Sequence, residues 1–322
     1  MELDHILLIG YGGPRTSEEV MPFLKGMMHG RNIPEAVLKA VARNYEQIGG
    51  ASPYSKEVVR FAEQWRRMLG DSGINLPVYV GMKNWHPFLE DVLLKLRQKG
   101  CRKGLAIILN AFPGAVTGAK YKESLRTARA ILEEPAVDYV FQNAWHEEEL
   151  FIEAQADEIR KVLEKVPADE RKKARILFTF HSLPARPEEK ASESGYPGEA
   201  LAAAKLVAQR LGYSRWEVVY QSKPAHVSGP WLGPDINKVI ERSAKDGIKR
   251  IVAVPLGFFC DHVEILFDLD VRARETAERM NMEYLRAGTV IHGPKIKELF
   301  LRFIRDAVEG SVSSRTPRRL RP

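Results

Sequence analysis

Ile176-Leu177-Phe178-Thr179-Phe180-His181-Ser182-Leu183-Pro184 and Ile251-Val252-Ala253-Val254-Pro255-Leu256-Gly257-Phe258 each read as a strongly apolar strand running into a polar turn. The first ends on a histidine. The second leads into Cys260-Asp261-His262-Val263-Glu264 and on to Asp268, an acid-rich helix start. In an open α/β sheet, ligands bind outside the carboxyl ends of the strands. These two ends are therefore expected to face one cleft, where an imidazole beside carboxylates suits metal handling or proton transfer.

Outward from these strands, short apolar runs alternate with amphipathic helical stretches, the pattern of βαβ units and a mostly parallel sheet. Strands are expected near His5–Ile9, Val78–Met82, Leu105–Leu109 and Val137–Gln142. A second series is expected near Arg175–Phe180, Glu217–Gln221, Arg250–Leu256 and Tyr284–Arg286. Glu147–Val166 reads as a helix, with Leu150, Ile152, Ala156, Ile159, Val162 and Leu163 on one face. Four strands followed by four strands predict two similar α/β halves, residues 1–150 and 151–310, with Pro294–Val308 as a closing helix. Residues 311–322 form a basic tail expected to be disordered. No low-complexity linker separates the halves, so they are expected to dock closely with a cleft between them.

Composition sets further bounds. The chain has 322 residues, 44% of them hydrophobic and 28% charged, as in an ordinary globular protein. Its net charge is +7, but the last eight residues supply four arginines and no acid, and +7 less those four is an unremarkable +3. Nothing here calls for nucleic acid. Two cysteines, Cys101 and Cys260, exclude a disulfide scaffold and a Cys-ligated iron–sulfur cluster built from this chain alone. No signal peptide or membrane-length apolar run is visible, so the expectation is cytoplasmic.

Several motifs have both a plain and a functional reading. Gly10-Tyr11-Gly12-Gly13-Pro14-Arg15 follows the first strand, yet Arg15 stands where a dinucleotide fingerprint needs its third glycine. A tight turn aiming Tyr11 at the cleft fits better. Ser182 lacks the Gly-x-Ser-x-Gly context of a hydrolase nucleophile. Asp261, Glu264 and Asp268 fall at i, i+3 and i+7 and would share one helical face. Acids at a helix start also simply complement its dipole. Gly81 through Pro87 and Gln221 through Pro234 are loops rich in glycine, proline and aromatics. They suit a large flat ligand or ordinary loop packing.

Taken together, these segments resemble ferrochelatase, the family that inserts ferrous iron into a porphyrin in heme biosynthesis. The resemblance runs from about residue 5 to 308. It rests on Tyr11-Gly12-Gly13-Pro14, Tyr45 through Pro53, Tyr79 through Lys83, Phe180 through Pro184, Gln221-Ser222-Lys223, Pro230 through Asp235, and Gly257 through Asp270, in the family's order. It implies a chelatase-like α/β fold of two similar Rossmann-like halves, each a parallel four-stranded sheet flanked by helices, with the porphyrin between them. It also implies His181 and Glu264 as the catalytic and metal-binding pair, and Tyr11 on the opposite porphyrin face. Tyr45, Ser52 and Tyr121 would line the macrocycle or hold its propionates, with Arg31 as a carboxylate partner. Asn84 stands where some relatives carry a histidine, and Arg272 interrupts the acidic row that many relatives continue.

The chemistry agrees with these residue types. Metallation replaces two N–H protons by a divalent cation, so a base that is neutral at working pH must stand near the ring centre. The expected partners are porphyrin and ferrous iron as substrates, with no permanently bound cofactor, at most peripheral membrane contact and a monomeric state. Protoporphyrin IX and coproporphyrin III remain open at this point. A chelatase for another tetrapyrrole, such as a cobalt or nickel sirohydrochlorin enzyme, and a non-catalytic heme carrier are the alternatives.

Overall fold

Both halves carry the same strand order. In a computed structural model, which describes residues 2–28, 33–112, 118–131, 137–142, 144–185, 195–224 and 227–310, β1 (His5–Gly10), β2 (Val78–Met82), β3 (Lys103–Ile108) and β4 (Asp138–Phe141) form one parallel sheet in the order β2-β1-β3-β4. The second sheet, β5 (Arg175–His181), β6 (Trp216–Gln221), β7 (Arg250–Val254) and β8 (Glu283–Arg286), is also parallel and has the order β6-β5-β7-β8. The first strand of each half is thus internal to its sheet. Every residue of β1 is buried, as a parallel strand covered on both faces requires.

The helices fill the crossovers. Between β1 and β2 lie α1 (Ser17–Met27), α2 (Glu35–Gln47) and α3 (Tyr54–Asp71); α4 (Leu89–Gln98) and α5 (Ala119–Ile131) follow β2 and β3. In the second half, α6 (Glu149–Leu163) and α7 (Ala168–Arg171) precede β5, while α8 (Gly195–Leu211) and α9 (Ile236–Lys245) flank β6. Between β7 and β8 runs α10 (Val263–Phe267), which continues through a π-helical turn, Asp268–Ala273, into α11 (Arg274–Arg279).

The closing helix α12 (Pro294–Val308) ties the two halves together. Its Phe300 ring lies 5.5 Å from Phe61 and 5.7 Å from Trp65 on α3, 5.5 Å from Trp145 and 5.8 Å from Phe259. All five rings belong to one buried cluster that spans both sheets. Removing a ring of this kind from such a core costs about 3–5 kcal/mol.

Two strands have an end displaced by two residues from the sequence expectation, and the ends of the others agree to within one residue. β7 stops at Val254 because Pro255 has no N–H to continue the ladder, and the Leu256 N–H turns back to the Val254 carbonyl at 2.8 Å. β3 begins two residues early, at Lys103, where it pairs with Asp138. The helix expected over Glu147–Val166 spans Glu149–Leu163, with Pro167 following. The basic tail, residues 311–322, lies outside the described residues, as does residue 31.

Candidate active site

The carboxyl ends of β1, β5, β6 and β7 deliver the polar residues. β5 and β7 are hydrogen-bonded neighbours, so the end of one adjoins the loop leaving the other. Gly257 lets that loop close in: its N–H donates to the Thr179 carbonyl at 3.1 Å. A Cβ there would stand 2.6 Å from Phe180 Cδ1 and 3.2 Å from the Phe180 Cα. The close approach brings the start of α10 beside His181, the last residue of β5.

There, His181 Nδ1 faces Glu264 Oε2 at 3.4 Å, without the alignment of a hydrogen bond. The two side chains remain 34% and 41% exposed, open to a ligand. The Glu264 backbone is fixed on both sides. Its N–H donates to His262 Nδ1 at 3.2 Å, with His262 as the helix N-cap, and its carbonyl accepts from Gln221 Nε2 at 2.8 Å. Burial disfavours the Glu264 carboxylate, but the His181 charge and then His262 outweigh it and hold the group at about 2. Burial likewise opposes protonation of His181, and the Glu264 charge overrides it, raising the imidazole above its ordinary value. Desolvation pushes the half-buried His262 the other way, below the ordinary imidazole value.

One turn further on, Asp268 is buried and accepts from Ser222 Oγ at 2.5 Å and from Arg272 Nη1 at 3.4 Å. Burial raises this carboxyl to about 6, with the nearby Glu264 charge adding to the rise. Ser222 sits immediately after β6 in a left-handed conformation, φ 64°, uncommon for a side chain of this kind.

The aromatic residues approach from the N-terminal half. α2 packs on α10, and Tyr45 is buried there; burial raises its hydroxyl far above the ordinary range, and the Glu264 charge adds to it. Tyr121 on α5 is buried as well and feels Tyr54, Tyr11 and Glu264 in turn. Tyr11 is 43% exposed, directly after β1, with its hydroxyl donating to Met27 Sδ at 3.0 Å and its N–H to the Tyr54 hydroxyl at 3.1 Å. Gly12, at φ +88°, makes this turn possible, because a Cβ there would lie 2.9 Å from the Trp85 backbone nitrogen. Ser52 is buried under the turn, its N–H donating to the Pro14 carbonyl at 2.9 Å. Tyr45 and Tyr121 thus lie within electrostatic reach of both Glu264 and Tyr11, and Ser52 lies beneath Gly13. Arg31 lies outside the described residues.

A protein-family model described as ferrochelatase matches residues 4–311. The chain belongs to the ferrochelatase family. The coproporphyrin III ferrochelatase of Nocardia farcinica is 35% identical over 99% of this chain and 91% of that protein. The one from Mycolicibacterium smegmatis is 33% identical over 96% of this chain and 91% of its own length. Among solved structures, SirB from Bacillus subtilis with Fe3+ superposes at a TM-score of 0.59 and 15% identity over 97% of both chains. The sirohydrochlorin chelatase SirB in complex with cobalt gives 0.55 and 12% over 96% of this chain and 97% of its own. At those identities the SirB likeness shows the shared two-half fold alone. The protein is thus a porphyrin metal chelatase, an enzyme, and its substrates are a porphyrin and iron. No helix among the described residues is long and apolar enough to cross a membrane.

At Asp261 the structure departs from the sequence reading. The i, i+3, i+7 spacing put Asp261, Glu264 and Asp268 on one helical face. Instead, Asp261 precedes the helix, and its carboxylate accepts a two-pronged contact from Arg286, Nη1 and Nη2 both at 3.2 Å. Arg286, the last residue of β8, also donates through Nε to Asp270 Oδ1 at 2.7 Å. One guanidinium thus clamps the approach to α10 against the π-helical turn beyond it. Sequence reasoning missed Arg286; an arginine at the carboxyl end of a strand, beside an acid-rich helix, was the available signal. The loop aromatic Trp85 is engaged in packing, edge-on to Phe23 at 5.8 Å and donating to Glu19 Oε2 at 2.8 Å.

Proposed function

We propose that this ferrochelatase inserts Fe2+ into coproporphyrin III, with His181 and Glu264 as the pair that exchanges metal for protons. The observation that carries the role of the pair is the 3.4 Å approach of His181 Nδ1 to Glu264 Oε2, with neither side chain closed off from the cleft. A carboxylate held ionised beside an imidazole of raised pKa is a site where a divalent cation and a proton compete for the same electrons. An arriving cation displaces the imidazole proton and is held by mixed nitrogen and oxygen donors. Once the cation passes to the macrocycle, the neutral imidazole takes a pyrrole proton. Insertion releases two protons in all, and the second passes along the acidic side of the cleft, where Asp268 titrates at about 6.

Tyr11 takes the face of the porphyrin opposite His181. Tyr45, Ser52 and Tyr121 line the macrocycle or hold its propionates, and Arg31 pairs with a propionate. The choice of coproporphyrin III over protoporphyrin IX rests on the relatives of 33–35% identity that carry that substrate in their names. The enzyme works as a cytoplasmic monomer with no resident cofactor, and iron is its substrate. The donor set itself gives no strong preference for iron, so Zn2+ and Co2+ are expected to be inserted as well.

Anaerobic Fe2+ insertion, followed as loss of free-porphyrin fluorescence, tests the substrate choice. Many turnovers on coproporphyrin III and at least tenfold lower kcat/KM on protoporphyrin IX are expected. A preference for protoporphyrin IX would reverse the assignment.

A further inference from the structure

At the end of the first sheet remote from the cleft, a second set of metal donors is gathered. His5 opens β1 with Asp4 directly before it, Cys101 stands two residues before β3, and one ligand atom from each lies within 4.8 Å of the others. We propose that Asp4, His5 and Cys101 form a divalent-metal site of the zinc type, separate from the porphyrin-metallating pair.

The sheet register builds it. His5 pairs with Gly104 on β3, and Gly104 pairs with Tyr139 on β4. A Cβ at Gly104 would lie 2.4 Å from His5 Nε2 and 2.8 Å from Tyr139 Cε1. The glycine leaves a gap across the middle strand, and the imidazole crosses it to reach the Tyr139 hydroxyl at 3.0 Å from Nε2. This fixes the ring with Nδ1 turned toward Asp4 Oδ1. Asp4 is anchored through its other oxygen, which accepts the Arg102 and Lys103 N–H groups at 2.6 and 3.0 Å, leaving Oδ1 toward the imidazole. His5 is fully buried, whereas Asp4 and Cys101 are partly exposed, which gives a cation and a fourth, water ligand their entry.

A thiolate, an imidazole and a carboxylate are the donors zinc takes. An imidazole whose far nitrogen is held by a second group is how metal-binding histidines are oriented. On binding, the Cys101 thiol proton is released, and the imidazole proton moves from Nδ1 to Nε2, where the Tyr139 hydroxyl accepts it. The metal would pin the opening of β1 to that of β3 without touching the cleft.

Co2+ alone, titrated into the full-length chain, is the probe, because a cobalt–thiolate bond has its own near-ultraviolet charge-transfer absorption. One equivalent of that absorption is expected. It should vanish in Cys101→Ser, survive in Cys260→Ser, and need about tenfold more Co2+ in Tyr139→Phe. Porphyrin metallation by Cys101→Ser should match that of the unaltered enzyme. Should Cys101→Ser fail to fold, Asp4→Asn and Tyr139→Phe carry the test, each by weakened Co2+ binding at unchanged metallation. Absence of the absorption, its persistence in Cys101→Ser, or its dependence on Cys260 would overturn the assignment.

Discussion

His181 Nδ1 and Glu264 Oε2 stand 3.4 Å apart although the residues are distant in sequence, because β5 and β7 are neighbours and the loop after β7 folds back over the end of β5. Gly257 permits that arrangement, since a Cβ there would stand 2.6 Å from the Phe180 ring. The consequence is electrostatic. Each member of the pair stabilises the charged form of the other, so the site holds a proton until something more strongly charged displaces it.

Glu264→Gln should therefore lower the His181 pKa, since the largest charge that raises it is removed and burial is then opposed only by the weaker influence of Asp268. The sign carries into catalysis. If the neutral imidazole is the active form, the acidic limb of kcat/KM moves to lower pH in the variant, while the rate on the plateau falls about a hundredfold or more. The imidazole titration followed by NMR checks the first part. An unchanged His181 midpoint would separate the two residues.

Asp268 should cost the fold stability at neutral pH. Its carboxyl titrates at about 6 when folded against an ordinary 3.8, so the unfolded chain gives up the proton first as pH rises. The native state is favoured fully below about pH 4 and loses that contribution through about pH 6, on the order of 3 kcal/mol in all. Asp268→Asn is expected to melt at a higher temperature than the unaltered enzyme at pH 7.5 and to lose its advantage at pH 4. Equal differences at both values would remove the buried charge as the cause.

Arg286→Leu leaves the carboxylates of Asp261 and Asp270 facing each other without their cation. A loss of about 3 kcal/mol is expected for these partly buried groups. In the fraction that folds, kcat should drop while porphyrin affinity stays unchanged, because the clamp sets the start of α10 and not the aromatic walls. Arg286→Lys should recover stability only partly, since an ammonium cannot make the two-pronged contact with Asp261. Unchanged metallation kinetics in Arg286→Leu would reduce the clamp to a purely structural element.

Much of this was legible in the chain because the signal is local. All eight described strands lie where apolar runs occur, and both chemical groups stand at strand ends, where α/β sheets present them. What escaped reading depends on contacts between distant segments or on backbone conformation. A helical wheel assigns Asp261 to the Glu264 face, yet the helix begins only at Val263, so Asp261 is free to turn to Arg286. The π-helical turn at Asp268–Ala273 has no periodicity that a 3.6-residue pattern would reveal. The left-handed Ser222, which brings its hydroxyl to Asp268, carries none of the glycine that marks such a backbone in sequence. Only family resemblance points to Tyr45 and Tyr121, since buried tyrosines on helices look like core residues to any composition rule.

The most direct measurement is steady-state Fe2+ insertion into coproporphyrin III by His181→Ala, set beside porphyrin affinity measured by fluorescence quenching in the same samples. At least a hundredfold loss of kcat with porphyrin affinity within about twofold of the unaltered enzyme is the predicted result. Near-normal turnover would contradict the account, because metal and proton would then have to exchange at some group other than the His181–Glu264 pair.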